Sequence, residues 1–202
     1  YTRMSDREAD FYYNPFDPAP SWRESNDGRP HRFVATGIFE FPVGRGRRFV
    51  NDGLASVIFG GWQLAATYEW QPGPLLDWGN VFYYGKLEEI NTGPRSLDRW
   101  FNTANFERNA AKGPAAFHRR VFPTRVDGLR QDMTNQWNAN VMREFRVREG
   151  MAFQIRLDTI NTFNRSQFAA PDTNPYSTNF GRVTAQTTAT NRIVQLVGRL
   201  RF

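Results

Sequence analysis

The chain has 202 residues, 40% hydrophobic and 23% charged, enough for one domain with a core of its own. A mean hydropathy of −0.64, with no apolar run near the ~18 residues a spanning helix needs, excludes transmembrane helices. It does not exclude a membrane β-barrel, whose strands need only alternate apolar residues. There is no cysteine, so no disulfide, thiolate metal site or cysteine nucleophile exists. The net charge of +6 comes almost wholly from arginine, since Lys86 and Lys112 are the only lysines. Such a balance suits nucleic acid, an acidic ligand or an anionic membrane surface, but scattered arginines read first as solvated faces.

Residues 1–30 are polar, rich in Asp, Asn, Pro and aromatic residues, and read as a loop. The chain begins at Tyr1 with no initiator methionine, signal peptide or stop-transfer pattern, and reads as the tail of a longer protein. Alternation then predicts a strand over 32–41. Phe33, Ala35, Gly37, Phe39 and Phe41 share one face, Arg32, Thr36 and Glu40 lie opposite with Val34 and Ile38 between, and Pro42 ends it. Residues 43–61 form a connection with the basic run Arg45, Arg47, Arg48 and the pair Gly60–Gly61. A second strand spans 62–71, with Trp62, Leu64, Ala66, Tyr68 and Trp70 against Gln63, Thr67, Glu69 and Gln71. Pro72-Gly73-Pro74 stops it, and 75–136 reads as a long loop, a length that usually signals function.

A third strand is expected over 137–147, with Trp137, Ala139, Val141, Phe145 and Val147 forming its apolar side. Arg148-Glu149-Gly150 suits a three-residue hairpin loop with Gly150 in the left-handed position, leading into a strand over 151–163. Parity places Val147 opposite Met151, Phe145 opposite Phe153, Val141 opposite Leu157 and Glu144 opposite Gln154; a slip by one mismatches every pair. A polar loop over 164–191 precedes a last strand over 192–202. No helical period is long enough to assign a helix, and no solenoid or propeller repeat is present.

Alternation alone suits a soluble β-sandwich as well as a barrel. Three features favour the barrel. The strands run to about ten residues, where globular strands average about 5–6. Trp62 and Trp70, like Phe33 and Phe41, are eight residues apart on one face. That is about 26 Å along the strand, or about 20 Å of height at a tilt near 40°, close to the aromatic girdles of a membrane barrel. The 148–150 turn is short while 75–136 and 164–191 are long, as periplasmic turns and extracellular loops are. Two features resist: the 43–61 connection is long for a short turn, and Arg143 falls on the apolar face. A midplane arginine there costs roughly 2–4 kcal/mol, so it must snorkel or a bulge must shift the phase.

No chemistry of an enzyme is present: no Gly-x-Ser-x-Gly elbow, no phosphate-binding loop and no zinc-binding His-Glu-x-x-His. His31 and His118 sit among arginines and read as surface residues; Glu88, Glu89 and Asp98 are loop acids without partners of suitable spacing. No cofactor or metal is expected. Gly44-Arg-Gly-Arg-Arg48 with Phe49 is too short for a nucleic-acid surface and reads as a solvated turn near anionic head groups.

Several stretches together resemble one family. They are Arg29-Pro-His-Arg-Phe through Phe41-Pro-Val-Gly-Arg-Gly-Arg-Arg-Phe49, Gly60-Gly-Trp-Gln-Leu64 and Trp100-Phe-Asn-Thr-Ala-Asn-Phe106. The hairpin at Glu149-Gly150-Met151, Asn161-Thr-Phe-Asn164 with Gln167-Phe168, Phe180-Gly181 and the terminal Leu200-Arg-Phe202 complete the set. In order and spacing they are similar to the C-terminal barrel of Oar-like TonB-dependent outer-membrane receptors, which often carry a carboxypeptidase-regulatory-like domain. The resemblance implies an all-β fold: an antiparallel transmembrane segment of about five long strands within a larger barrel of about 22, with long extracellular loops and an upstream plug. The implied function is TonB-dependent uptake of an unidentified solute. The implied partners are outer-membrane lipid, the TonB complex through a region upstream of Tyr1, and the outer-membrane assembly machinery, with no nucleic acid.

In that setting Trp62, Leu64, Tyr68, Trp70, Phe145, Phe153, Ile155, Leu157, Leu200 and Phe202 are expected to meet lipid. Gln63, Glu69, Glu144, Arg156, Asp158 and Arg199 are expected to face the lumen. Gly198, Leu200 and Phe202 partly match the terminal assembly signal, with Gly198 one residue from its usual place. Two other readings stand beside this one. The first is a secreted β-sandwich that binds a glycan through Trp78, Tyr83, Tyr84 and Trp100; the second is an adhesive surface protein.

Overall fold

The computed structural model describes residues 5–7, 14, 16–17, 22–25, 27–187 and 191–202. In chain order the strands and helices are β1 (Ser5–Arg7), β2 (Trp22–Glu24), β3 (Phe33–Glu40), α1 (Gly53–Phe59), β4 (Trp62–Gln71) and β5 (Leu75–Asp77). There follow α2 (Leu87–Ile90), a 3-10 turn (Ala110–Lys112), β6 (Arg125–Arg130), β7 (Thr134–Arg148), β8 (Met151–Ile160) and β9 (Ile193–Arg201). They divide into two units. Unit 1 is built from 1–32, 71–134 and 167–187; unit 2 from 33–70, 135–166 and 188–202.

Unit 2 holds one five-stranded sheet in the order β3-β4-β7-β8-β9, with β3 and β9 at its edges. The strands lie in chain order, with β5 and β6 set aside between β4 and β7, and β3–β4, β7–β8 and β8–β9 pair antiparallel. The 41–61 connection, the β7–β8 turn and the residue after β9 therefore share one end of the sheet. Both long connections, 72–133 and 161–192, leave from the other end.

The hairpin register places Phe145 opposite Phe153, Val141 opposite Leu157 and Glu144 opposite Gln154. It departs from parity next to the turn. Arg148, not Val147, pairs with Met151, because the register shifts between Arg146 and Arg148 and leaves Val147 as an extra residue. The turn is Glu149-Gly150 alone, with Gly150 at φ +76. β8 stops at Ile160, short of 163, because Asn161 takes φ +52. The Asn161 side chain accepts from the Arg165 amide and donates to the Arg165 carbonyl, both at 2.9 Å.

Unit 1 corrects the expectation of open loops. The 1–30 stretch carries the β1–β2 ladder; its residues 1–4, 8–13, 15, 18–21 and 26 lie outside the described residues. Residues 75–136 contain β5 paired with β6, two helical turns and the start of β7. In 164–191, of which 188–190 are not described, bridges join Phe168 to Gln186 and Asp172 to Phe180. The last two of these segments converge on an aromatic core. Trp78, 4% exposed, stacks on Phe106 at 5.4 Å and meets Phe101, Phe122 and Phe180 edge-on or tilted at 5.0–6.3 Å. Leu76, Val81, Ile90, Val126 and Leu129 complete the core. Short elements with no sustained period can still bury rings when several converge from distant parts of the chain.

A buried ion pair fastens the unit. Arg130 Nη2 donates to Glu24 Oε1, while Nη1 donates to the Gly28 and Gly73 carbonyls at 3.1 and 2.9 Å. The Trp100 indole donates to the Arg130 carbonyl at 2.8 Å. Burial, with Glu89 and Glu88 nearby, pushes the Tyr83 phenol up and keeps it a neutral hydrogen-bond donor, here to the Lys86 carbonyl.

Candidate functional site

Residues directly opposite in an antiparallel pair point to the same side of the sheet. Phe33, Ala35, Gly37 and Phe39 of β3 face Trp70, Tyr68, Ala66 and Leu64 of β4. Tyr68 stacks on Trp137 of β7 at 4.7 Å. Phe145, Val141 and Ala139 continue the face through Phe153, Leu157 and Thr159 to Leu200, Leu196 and Val194. One continuous aromatic and aliphatic face thus crosses all five strands. No second sheet covers it among the described residues of unit 2: Phe33 is 55% exposed, Trp137 41% and Leu196 72%.

The opposite face is mainly polar. Glu40 accepts from Gln63 at 3.1 Å and from Arg47 at 2.6 Å, and Arg156 pairs with Asp158 at 2.9 Å. Glu144 pairs with Arg201, Thr36 meets Thr67 at 3.3 Å, and Arg199 sits opposite Gln154. Glu69, opposite Val34, belongs to the same side. This face is not purely polar, since Val34 and Ile38 are 50% and 72% exposed on it.

Arg143 stands in register with Ile155 on the aromatic face, so no bulge removes it. Its guanidinium is nonetheless buried. Nη1 donates to the Ile58 carbonyl and Nη2 to the Val57 carbonyl, both at the end of α1. The Trp62 indole also donates to Ile58 O at 3.3 Å, and Arg143 lies 4.2 Å from the Phe145 ring centroid and 5.8 Å from that of Trp62. The last carbonyls of a helix lack internal partners and carry its negative dipole end, so a guanidinium is a fitting cap. The misfit arginine and the overlong connection are one arrangement.

Unit 1 contains a cleft of about 670 Å³ lined by Asn14, Phe16, Asp17, Asn80, Phe117, His118, Arg119 and Arg120. Arg119 pairs with Asp17 at 2.8 Å, and Asn14 accepts from the Arg120 amide at 2.6 Å. Phe16 and Phe117 stand fully exposed at its rim.

The family model for the outer membrane beta barrel domain matches residues 2–195. The chain belongs to that family. This outer-membrane barrel protein is therefore all-β and localises to the bacterial outer membrane, its antiparallel sheet forming a segment of barrel wall. A search of curated proteins and one of solved structures returned no match. A soluble sandwich is excluded by the family, and two of its proposed glycan-binding rings are unavailable: Trp78 and Trp100 are 4% and 8% exposed. In the barrel protein, Arg143 was visible in the sequence as a break in the apolar stripe. Its partners were not, because they are backbone carbonyls that carry no sequence signature.

Proposed function

We propose that this barrel protein is the C-terminal wall of an Oar-like TonB-dependent receptor for a solute. The observation carrying the reading is the two-faced sheet, joined to the motif set from Arg29 to Phe202 that resembles those receptors. Five strands leave two open edges, which hydrocarbon does not tolerate, so on this reading further strands outside this sheet complete the wall. Trp62, Leu64, Tyr68, Trp70, Phe145, Phe153, Ile155, Leu157, Leu200 and Phe202 meet lipid on this reading. Gln63, Glu69, Glu144, Arg156, Asp158 and Arg199 face the lumen, and the Arg156–Asp158 and Glu144–Arg201 pairs on that side suit contact with water or a plug. Gly198, Leu200 and Phe202 serve assembly. The sheet end carrying the β7–β8 turn is periplasmic, and the long connections are extracellular.

The test uses the full-length protein. Heat-modifiable migration in detergent gels checks the wall, and site-directed cross-linking of the upstream region to TonB checks the transport class. Migration without heat modification defeats the lipid-facing assignment. A heat-modifiable protein that never cross-links to TonB in energised cells defeats the receptor assignment alone.

A further inference from the structure

The polarity of α1 is inverted relative to a helix of a soluble protein. Its only buried residue is Ser56, while Leu54, Ile58 and Phe59 are 80%, 58% and 62% exposed. Such a helix offers an apolar surface that none of the described residues covers. We propose that α1 is an interfacial anchor resting on the periplasmic leaflet of the outer membrane. Leu54, Ile58 and Phe59 lie among acyl chains, and Arg45 and Arg48 meet anionic phospholipid headgroups. This rests on the reading above that the aromatic sheet face is the lipid face.

Three observations select lipid as the occupant. The first is continuity: α1 is fastened to the aromatic face itself, through Arg143 and Trp62, not to the polar face. Its exposed residues thereby extend the wall that belongs to an outer-membrane family. The second is position. The 41–61 connection sits at the sheet end of the short β7–β8 turn, where the wall leaves the hydrocarbon. A seven-residue helix is about 10 Å long and suits a place in the interface, not a crossing of it. The third is charge. Arg45, Arg47 and Arg48 occupy the turn just before α1, and Glu40 pairs with Arg47 at 2.6 Å.

The turn packs directly on the helix end because two glycines touch. A Cβ on Gly60 would stand 2.6 Å from the Gly44 Cα and 2.4 Å from the Ser56 carbonyl. Gly44 itself has φ +114, a conformation closed to other residues, so the arginine turn is locked against the helix end.

The experiment uses full-length protein reconstituted in vesicles of phosphatidylethanolamine and phosphatidylglycerol. Nitroxide labels are placed singly at Leu54→Cys, Ile58→Cys, Asp52→Cys and the wall position Leu157→Cys. Collision with oxygen and with a water-soluble nickel chelate reports depth. Labels at 54 and 58 are expected to favour oxygen, as at 157, while the label at 52 favours nickel. Nickel-accessible labels at 54 and 58 with a lipid-buried label at 157 overturn the anchor and leave the wall reading intact. Labels at 54 and 58 shielded from both reagents indicate a protein partner and also overturn it. A nickel-accessible label at 157 defeats the wall reading itself. Arg143→Met removes the clamp without placing a new charge in lipid; it is expected to raise nickel collision at 58 toward the value at 52, and an unchanged value overturns the clamp. Arg45→Glu with Arg48→Glu is expected to lower local phosphatidylglycerol enrichment, read by headgroup-specific quenching, by about fivefold per arginine. Unchanged enrichment overturns the headgroup contact.

Discussion

Unit 1 and unit 2 spend the same aromatic residues in opposite ways. Trp78 is 4% exposed and ringed by four phenylalanines, whereas Trp137 is 41% exposed and lies flat beside Tyr68 on an uncovered sheet. Unit 1 makes its own water-free interior from converging segments. Unit 2 makes only a surface, which is complete when the surroundings supply the apolar layer. Unit 1 buries the rings of its central cluster and leaves Phe16 and Phe117 exposed at its cleft, while unit 2 leaves a whole aromatic face bare.

The largest test of this contrast is Trp78→Ala, which should cost about 3–5 kcal/mol within unit 1. Limited proteolysis should then cut within 72–133 while heat-modifiable migration of the barrel persists; joint loss of both would show that the two units share one stability. Next, Leu157→Arg on the aromatic face should destabilise the wall by about 2–4 kcal/mol in urea titrations in vesicles. Gln154→Arg, on the polar face of the same strand, should stay within about 0.5 kcal/mol. Equal costs at the two positions would erase the distinction between the faces. The smallest effect is expected for Glu40→Gln, which breaks the exposed Arg47 pair and should cost under about 1 kcal/mol, shrinking as salt rises.

What could be read in advance follows the same division. Period-two alternation survives in isolation, so the five strands of unit 2 and the Phe145–Phe153 register were legible from side-chain order alone. The bulge at Val147 was not, because it is a backbone adjustment to a tight turn that leaves the pattern of residue types unchanged. In unit 1 the core residues Trp78, Phe101, Phe106, Phe122 and Phe180 come from separate short stretches with no shared period. Polar neighbours made those stretches look like open loops, and only the tertiary meeting of the rings shows otherwise. α1 was hidden for a related reason: seven residues give barely two turns, too few for a helical period to declare itself.

The placement of Phe180 has a consequence for the order of events after synthesis. Its ring packs against Trp78, Phe101 and Phe106, yet the whole β7–β8 hairpin intervenes in sequence. The contacts of the hairpin are local in sequence, so closing it costs little loop entropy. The aromatic cluster must wait for a far later residue and pay the entropy of closing a long loop.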